Sequence, residues 1–144
     1  MRIIRFFVTA VAVVVSACSH ETKSAVQQIV VLDETVLKIA ETENQCRVIW
    51  SRKRSAGGRV DLALRPPCNF HRQSDGRLNS RGDSKRKVIL IESMIGKKDQ
   101  QGHCKVQVAR VAISPGGVSA SPNVANVSSC PPFQWDDVMY SGTF

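Results

Sequence analysis

Five cysteines and three histidines are the side chains of this 144-residue chain with the most chemistry to offer. Cys68-Asn69-Phe70-His71 and His103-Cys104 together bring two thiols and two imidazoles, the ligand types of a structural zinc site, though their spacing matches such sites only in part. Ser84-Lys85-Arg86-Lys87 has the Ser-x-x-Lys spacing in which a lysine activates a serine at the start of a helix. Here it lies in a charged loop running into an apolar strand, and neither companion motif is present. No Gly-x-Ser-x-Gly elbow occurs, and His20, His71 and His103 form no nucleophile arrangement. Asp136-Asp137 is a carboxylate pair in name only, because neighbours on a strand face opposite ways. A helix cap or a turn is its expected role. Nothing in this inventory argues for an enzyme.

The fate of the thiols depends on the compartment, and the first residues address it. Met1-Arg2-Ile3-Ile4-Arg5 is positively charged and Phe6 to Val15 is apolar apart from Thr9, the pattern of a targeting segment. The run is shorter than the roughly 20 apolar residues a spanning helix needs. Val15-Ser16-Ala17-Cys18 resembles the bacterial lipobox; the alternative is an ordinary secretory signal with a coincidental cysteine. The resemblance implies a signal peptide over 1–17, a covalent lipid on Cys18 as the only prosthetic group, and a lipidated tether over 18–24. Ser19 after that cysteine implies forwarding to the outer membrane, with the protein facing the periplasm. Removing Cys18 from the count leaves an even set, Cys46, Cys68, Cys104 and Cys130. In an oxidising compartment four such cysteines predict two disulfides rather than a metal site, with three connectivities open.

Charge is regional. Loss of Arg2 and Arg5 takes the formal charge from +8 to +6, and residues 47–87 hold twelve basic and three acidic side chains. Phosphate would attract such a stretch, but an envelope address and the lack of interleaved aromatics argue against nucleic acid. An acidic protein surface is the expected counter-charge, with anionic cell-wall or lipopolysaccharide groups as further ones. Arg52, Lys53, Arg54, Arg81, Lys85 and Arg86 are the candidate binding residues. The bland alternative is a solvated loop that keeps an edge strand soluble. Arg81-Gly82-Asp83 and Asn126-Val127-Ser128 are chance matches to animal adhesion and glycosylation signals.

Behind these residues the pattern predicts a mainly β fold: a small antiparallel domain over 25–144 with two disulfides and an N-terminal helix, α+β being the alternative. From Ala25 to Asn44, polar Gln27, Glu34, Lys38, Glu41 and Gln45 recur at helical intervals opposite Ile29, Leu32, Val36 and Ile39, which favours an amphipathic helix. Ile29 to Leu32 and Val36 to Ile39 would also suit strands. Further on, Arg47 to Trp50, Arg59 to Leu64, Lys87 to Ile91 and Lys105 to Ile113 are expected strands, each burying one face. Ser55-Ala56-Gly57-Gly58, Ser74 to Ser84 and Pro115-Gly116-Gly117 are expected turns and loops. Cys46, Gly57-Gly58 and Cys68-Asn69-Phe70 are echoed by Cys104, Gly116-Gly117 and Cys130-Pro131-Pro132-Phe133. If the echo reflects two hairpin units, each is closed by its own bridge, Cys46 to Cys68 and Cys104 to Cys130. The aromatic tail from Phe133 to Phe144 is expected to pack back onto the sheet.

Pro66-Pro67-Cys68-Asn69-Phe70 and Cys130-Pro131-Pro132-Phe133-Gln134-Trp135-Asp136 resemble elements of small uncharacterised proteobacterial envelope proteins. The resemblance spans much of residues 46–144 and implies fold and location, with no activity attached. The resulting expectation is a lipid-anchored binding protein of the inhibitor or immunity type, acting on an envelope hydrolase or toxin. The alternative is a structural envelope lipoprotein that binds cell wall or joins a secretion or outer-membrane assembly.

Overall fold

The computed structural model describes residues 28–132 and 137–142. Cys18, the signal and tether segments, and Phe133, Trp135, Asp136 and Phe144 lie outside that range. The order is β1 (Ile29–Leu32), β2 (Thr35–Glu41), β3 (Cys46–Arg52), β4 (Ser55–Asp61), β5 (Cys68–Phe70), β6 (Ser80–Gly82), β7 (Lys87–Ile95), β8 (Lys105–Ser114), β9 (Gly117–Val127) and α1 (Asp137–Ser141). The mainly β expectation holds.

The helix favoured for 25–44 is corrected. Residues 29–41 form the β1–β2 hairpin, with Val31 opposite Val36 and Leu32 opposite Thr35. Burial follows period two: Val30, Leu37 and Ile39 face the core, while Ile29, Val31 and Val36 face outward. Asp33 makes the reversal possible by taking φ 53° in the two-residue turn, a conformation that Asp tolerates better than most residues.

β1 to β4 form one antiparallel meander, and β5, β7, β8 and β9 form the second sheet. β5 and β6 both pair with β7, at Ile91–Ser93 and Lys87–Ile89 respectively, so they lie end to end along one edge. The inner faces share a core that includes Leu37, Val48, Phe70, Ile89, Ile91 and Val111. A second cluster, Val88, Leu90, Val106, Val108 and Ala112, lies under Tyr140 and Met139 of α1. β7 and β8 are therefore covered on both faces. The expectation that Lys105 to Ile113 buries one face only is overturned by α1, and the unbroken Val88-Ile89-Leu90-Ile91 run is what two-sided burial requires. Tyr140, 5 % exposed, is the tail aromatic that packs back within the described residues.

Two further boundaries move. Ser55 to Gly58 belong to β4, and the turn is Lys53–Arg54. A Cβ on Gly57 would lie 2.3 Å from the Trp50 carbonyl oxygen, and one on Gly58 2.9 Å from the Trp50 ring nitrogen. The two glycines thus serve a bulge between Trp50 and Arg52 and make room for the indole. Leu62 and Leu64 follow β4 rather than extend it, tied to β3 by the Leu62 N–H to the Cys46 carbonyl and the Cys46 N–H to the Leu64 carbonyl.

Cys46 is bridged to Cys68 and Cys104 to Cys130. The first bridge joins the two sheets and the second ties the start of β8 to the segment after β9. Strand directions put both bridges at one pole, with four hairpin turns at the opposite pole: Asp33–Glu34, Lys53–Arg54, Asp83–Arg86 and Pro115–Gly116.

Candidate functional site

Arg52, Lys53 and Arg54 stand at or beside the β3–β4 tip and Lys85 and Arg86 in the β6–β7 turn, so two distant stretches of sequence meet at this turn pole, while Arg81 sits in β6. A cleft of about 420 Å³ runs between the tips, lined among others by Asp33, Arg52, Arg54, Ser84, Lys87 and Pro115. Lys87 Nζ donates to Asp33 Oδ1 at 2.7 Å, joining β7 to the β1–β2 turn. The Ser-x-x-Lys lysine is thereby held by a carboxylate of the other sheet, and Ser84 lies in a turn.

Arg52 differs from its neighbours. Its Nε donates to Thr35 Oγ1 at 2.8 Å and one terminal nitrogen to the Pro115 carbonyl at 2.7 Å. The other terminal nitrogen donates to the Ser114 carbonyl, and the guanidinium lies 5.5 Å from the Trp50 ring centroid. This side chain clamps the β8–β9 tip to the first sheet, and its donors point into the protein. Lys53 and Arg54 stand exposed on the neighbouring turn.

The Asp83–Arg86 turn is fixed by its own carboxylate. Asp83 Oδ1 accepts the backbone N–H of Arg86 at 3.0 Å and of Lys85 at 2.7 Å. The two bonds, Arg86's first, hold its carboxyl below the ordinary value. Lys85 and Arg86 are consequently exposed charges on a rigid support.

On the opposite face of β7 lies a second cleft, of about 560 Å³, formed by Arg81, Gly82, Arg86, Val88, Arg110, Asp137, Tyr140 and Ser141. Arg81 Nε donates to Asp137 Oδ1 at 3.1 Å, and its guanidinium sits 5.5 Å from the Tyr140 ring centroid. Arg110 donates to the Tyr140 carbonyl at 3.5 Å. A Cβ on Gly142 would fall 1.3 Å from Arg110 Nη1, so the chain end passes directly over this guanidinium. Burial pushes the Tyr140 phenol up to about 12, against the nearby Arg81 charge, which lowers it. Sequence reading missed Arg110, Asp137 and Tyr140 as members of this cleft. Arg110 stands alone in an apolar strand, and only the docking of α1 brings it to Arg81 and Arg86.

Cys46, Cys68, Cys104 and Cys130 are all in disulfides. His71 Nδ1 lies 3.0 Å from Glu92 Oε2 in the protein, and His103 Nδ1 lies 3.4 Å from Asp99 on an exposed loop. Among the described residues no group of three or more His, Cys, Asp or Glu side chains is placed to hold a metal ion. Among them also no helix is long and apolar enough to cross a membrane. In comparisons with known proteins, no family model, no curated protein and no solved structure matches this chain.

Proposed function

We propose that this chain is a lipid-anchored, periplasm-facing binding protein of the inhibitor or immunity type, whose turn pole covers a site on an envelope hydrolase or toxin. The observation that carries this reading is the gathering of Lys53, Arg54, Lys85 and Arg86 onto two adjacent hairpin tips braced from beneath. Arg52 braces one tip and the Asp83 carboxylate the other, so these charges are presented without the ordering cost of a loose loop. Basic charges at the rim of an interface act mainly on the encounter rate. The chain enters at Gln28, whose side chain bonds Asn69 and the Phe70 N–H, away from the turns. A tether on that side leaves the turn pole open to a partner. The lipid on Cys18 and the outer-membrane address belong to the same proposal.

The test is capture from detergent-solubilised envelopes with the full-length protein, set against sedimentation with purified peptidoglycan. A single envelope protein should be retained. Its association rate at low salt should drop by about tenfold or more when Lys53, Arg54, Lys85 and Arg86 are reversed to Glu. Sedimentation with sacculi and no retained protein would replace this reading with a cell-wall-binding one. Unchanged rates in the reversed variant would remove the steering role.

A further inference from the structure

We propose that the outer face of the first sheet rests on an anionic lipid surface, with Ile29, Val31, Val36 and Ile49 in the head-group region and Lys38 and Arg59 on lipid phosphates. For its nearness to a membrane the proposal rests on the lipid-anchored reading given above, and it adds the face that the membrane meets.

Cross-strand register fixes which residues share this face. Ile29, Lys38, Ile49 and Arg59 lie opposite one another in one row across β1 to β4. Val31, Val36 and Ser51 form the row towards the turn pole, and Ala40, Arg47 and Asp61 the row towards the bridges. Val30, Leu37, Ile39 and Val48 point the other way, into the core. The face thus gathers four of the seven large apolar side chains that stand exposed among the described residues, with Val31 at 65 % and Ile29 at 51 %. Single exposed apolar residues are ordinary, whereas a contiguous set marks a surface that meets another.

Charge and chain direction choose the occupant. Asp61 is the acid of these three rows, and Arg47 holds it at 3.2 Å, which leaves Lys38 and Arg59 as the uncompensated charges of the middle row. A second copy laid face to face would set these cations against their own kind, whereas anionic lipid supplies the counter-charge. Their long stems can lie along the neighbouring isoleucines while the charged ends reach phosphate. The described chain enters this sheet at Gln28, next to Ile29, and Cys18 stands ten positions earlier. Ten residues span at most about 35 Å. A lipid on Cys18 therefore keeps this face at high local concentration beside the bilayer, an advantage that a soluble acidic protein lacks.

Tryptophan placed on the face reads the contact. Full-length protein isolated from cell membranes is reconstituted into vesicles of brominated phosphatidylcholine with or without phosphatidylglycerol. Fluorescence added by Ile49→Trp should be quenched on the phosphatidylglycerol vesicles, and Val31→Trp, on another strand, should report the same. Ser119→Trp, at an exposed position of β9, should not be quenched. Lys38→Gln with Arg59→Gln should remove most of the quenching, since each cation near such a surface contributes about fivefold in binding. Equal quenching at Ile49→Trp and Ser119→Trp would mean a domain turning freely on its tether and would overturn the proposal. So would quenching that ignores phosphatidylglycerol or survives the double Gln variant. A dimer in detergent that shields Ile49→Trp from a soluble quencher would assign the face to a second copy instead. Intact mass, measured first, separates the two readings: an unmodified Cys18 removes the anchor, and quenching at Ile49→Trp then decides the face alone.

Discussion

Tyr140 is the only tyrosine of the chain, so its ionisation can be followed by absorbance without interference from another phenol. Burial raises its pKa from 10.0 to about 12. The unfolded chain ionises first, so the stability that comes from burying the neutral phenol is complete below pH 10 and is lost as pH rises towards 12. Tyrosinate absorbance near 295 nm should therefore show a midpoint near 12 in the native protein and near 10 in concentrated urea. Equal midpoints would place the ring in water. Gly142 yields a second residue-scale expectation. Its φ of 87° is left-handed and its missing Cβ leaves room for Arg110. Gly142→Ala should lower stability by about 1–2 kcal/mol and push the Arg110 guanidinium aside, read as a lower urea midpoint. At this scale the cysteines were the readable part, because parity and compartment together predict pairing and the repeated Gly-Gly spacing points to the observed partners. Arg110 was unreadable, since nothing local distinguishes it from a lone charge on a strand.

The hairpins show where periodicity misleads. Over Ala25 to Asn44 the polar residues recur every three to four positions, yet Ile29, Val30, Val31, Thr35 and Val36 are β-branched and lose little by extending. The Asp33–Glu34 turn, once taken, lets Leu37 and Ile39 join the core beside Val30. Partnership across a sheet decided the matter, and no single window of sequence contains it. Gly57 and Gly58 mislead in the opposite direction, since they punctuate like a turn but accommodate the Trp50 backbone and ring. Arg52 is the element-scale test. Its guanidinium binds Thr35, Pro115 and Ser114, so Arg52→Ala should cost about 2 kcal/mol or more and loosen the β8–β9 tip. Hydrogen exchange at Gly117 and Val118 should quicken. Lys53→Ala, on the next position, should leave both unchanged.

Across the whole molecule, the division into a bridged pole and a basic pole was only half readable. The regional charge and the positions of the cysteines are properties of the chain, whereas the opposition of the two poles arises from strand directions in two sheets. The Cys46–Cys68 bridge is a disulfide cross-link between those sheets and closes a sequence separation of 22. Replacing both cysteines by serine should cost about 3 kcal/mol by the chain-entropy account, measured by urea unfolding. The Cys104–Cys130 pair, with a separation of 26, should cost a similar amount while leaving the contact between sheets intact. Both losses should appear as single cooperative transitions at lower denaturant.

Neither covalent loop encloses β1 or β2, and β1 is an outer strand bonded to β2 alone. Tension arriving through residue 28 would act on that strand from its free end and open its hydrogen bonds one after another, as a zip opens, while the stapled remainder stayed shut. A protein pulled by its N-terminus would thus yield first by a short, low-force extension, and residues beyond Cys46 would resist until much higher load.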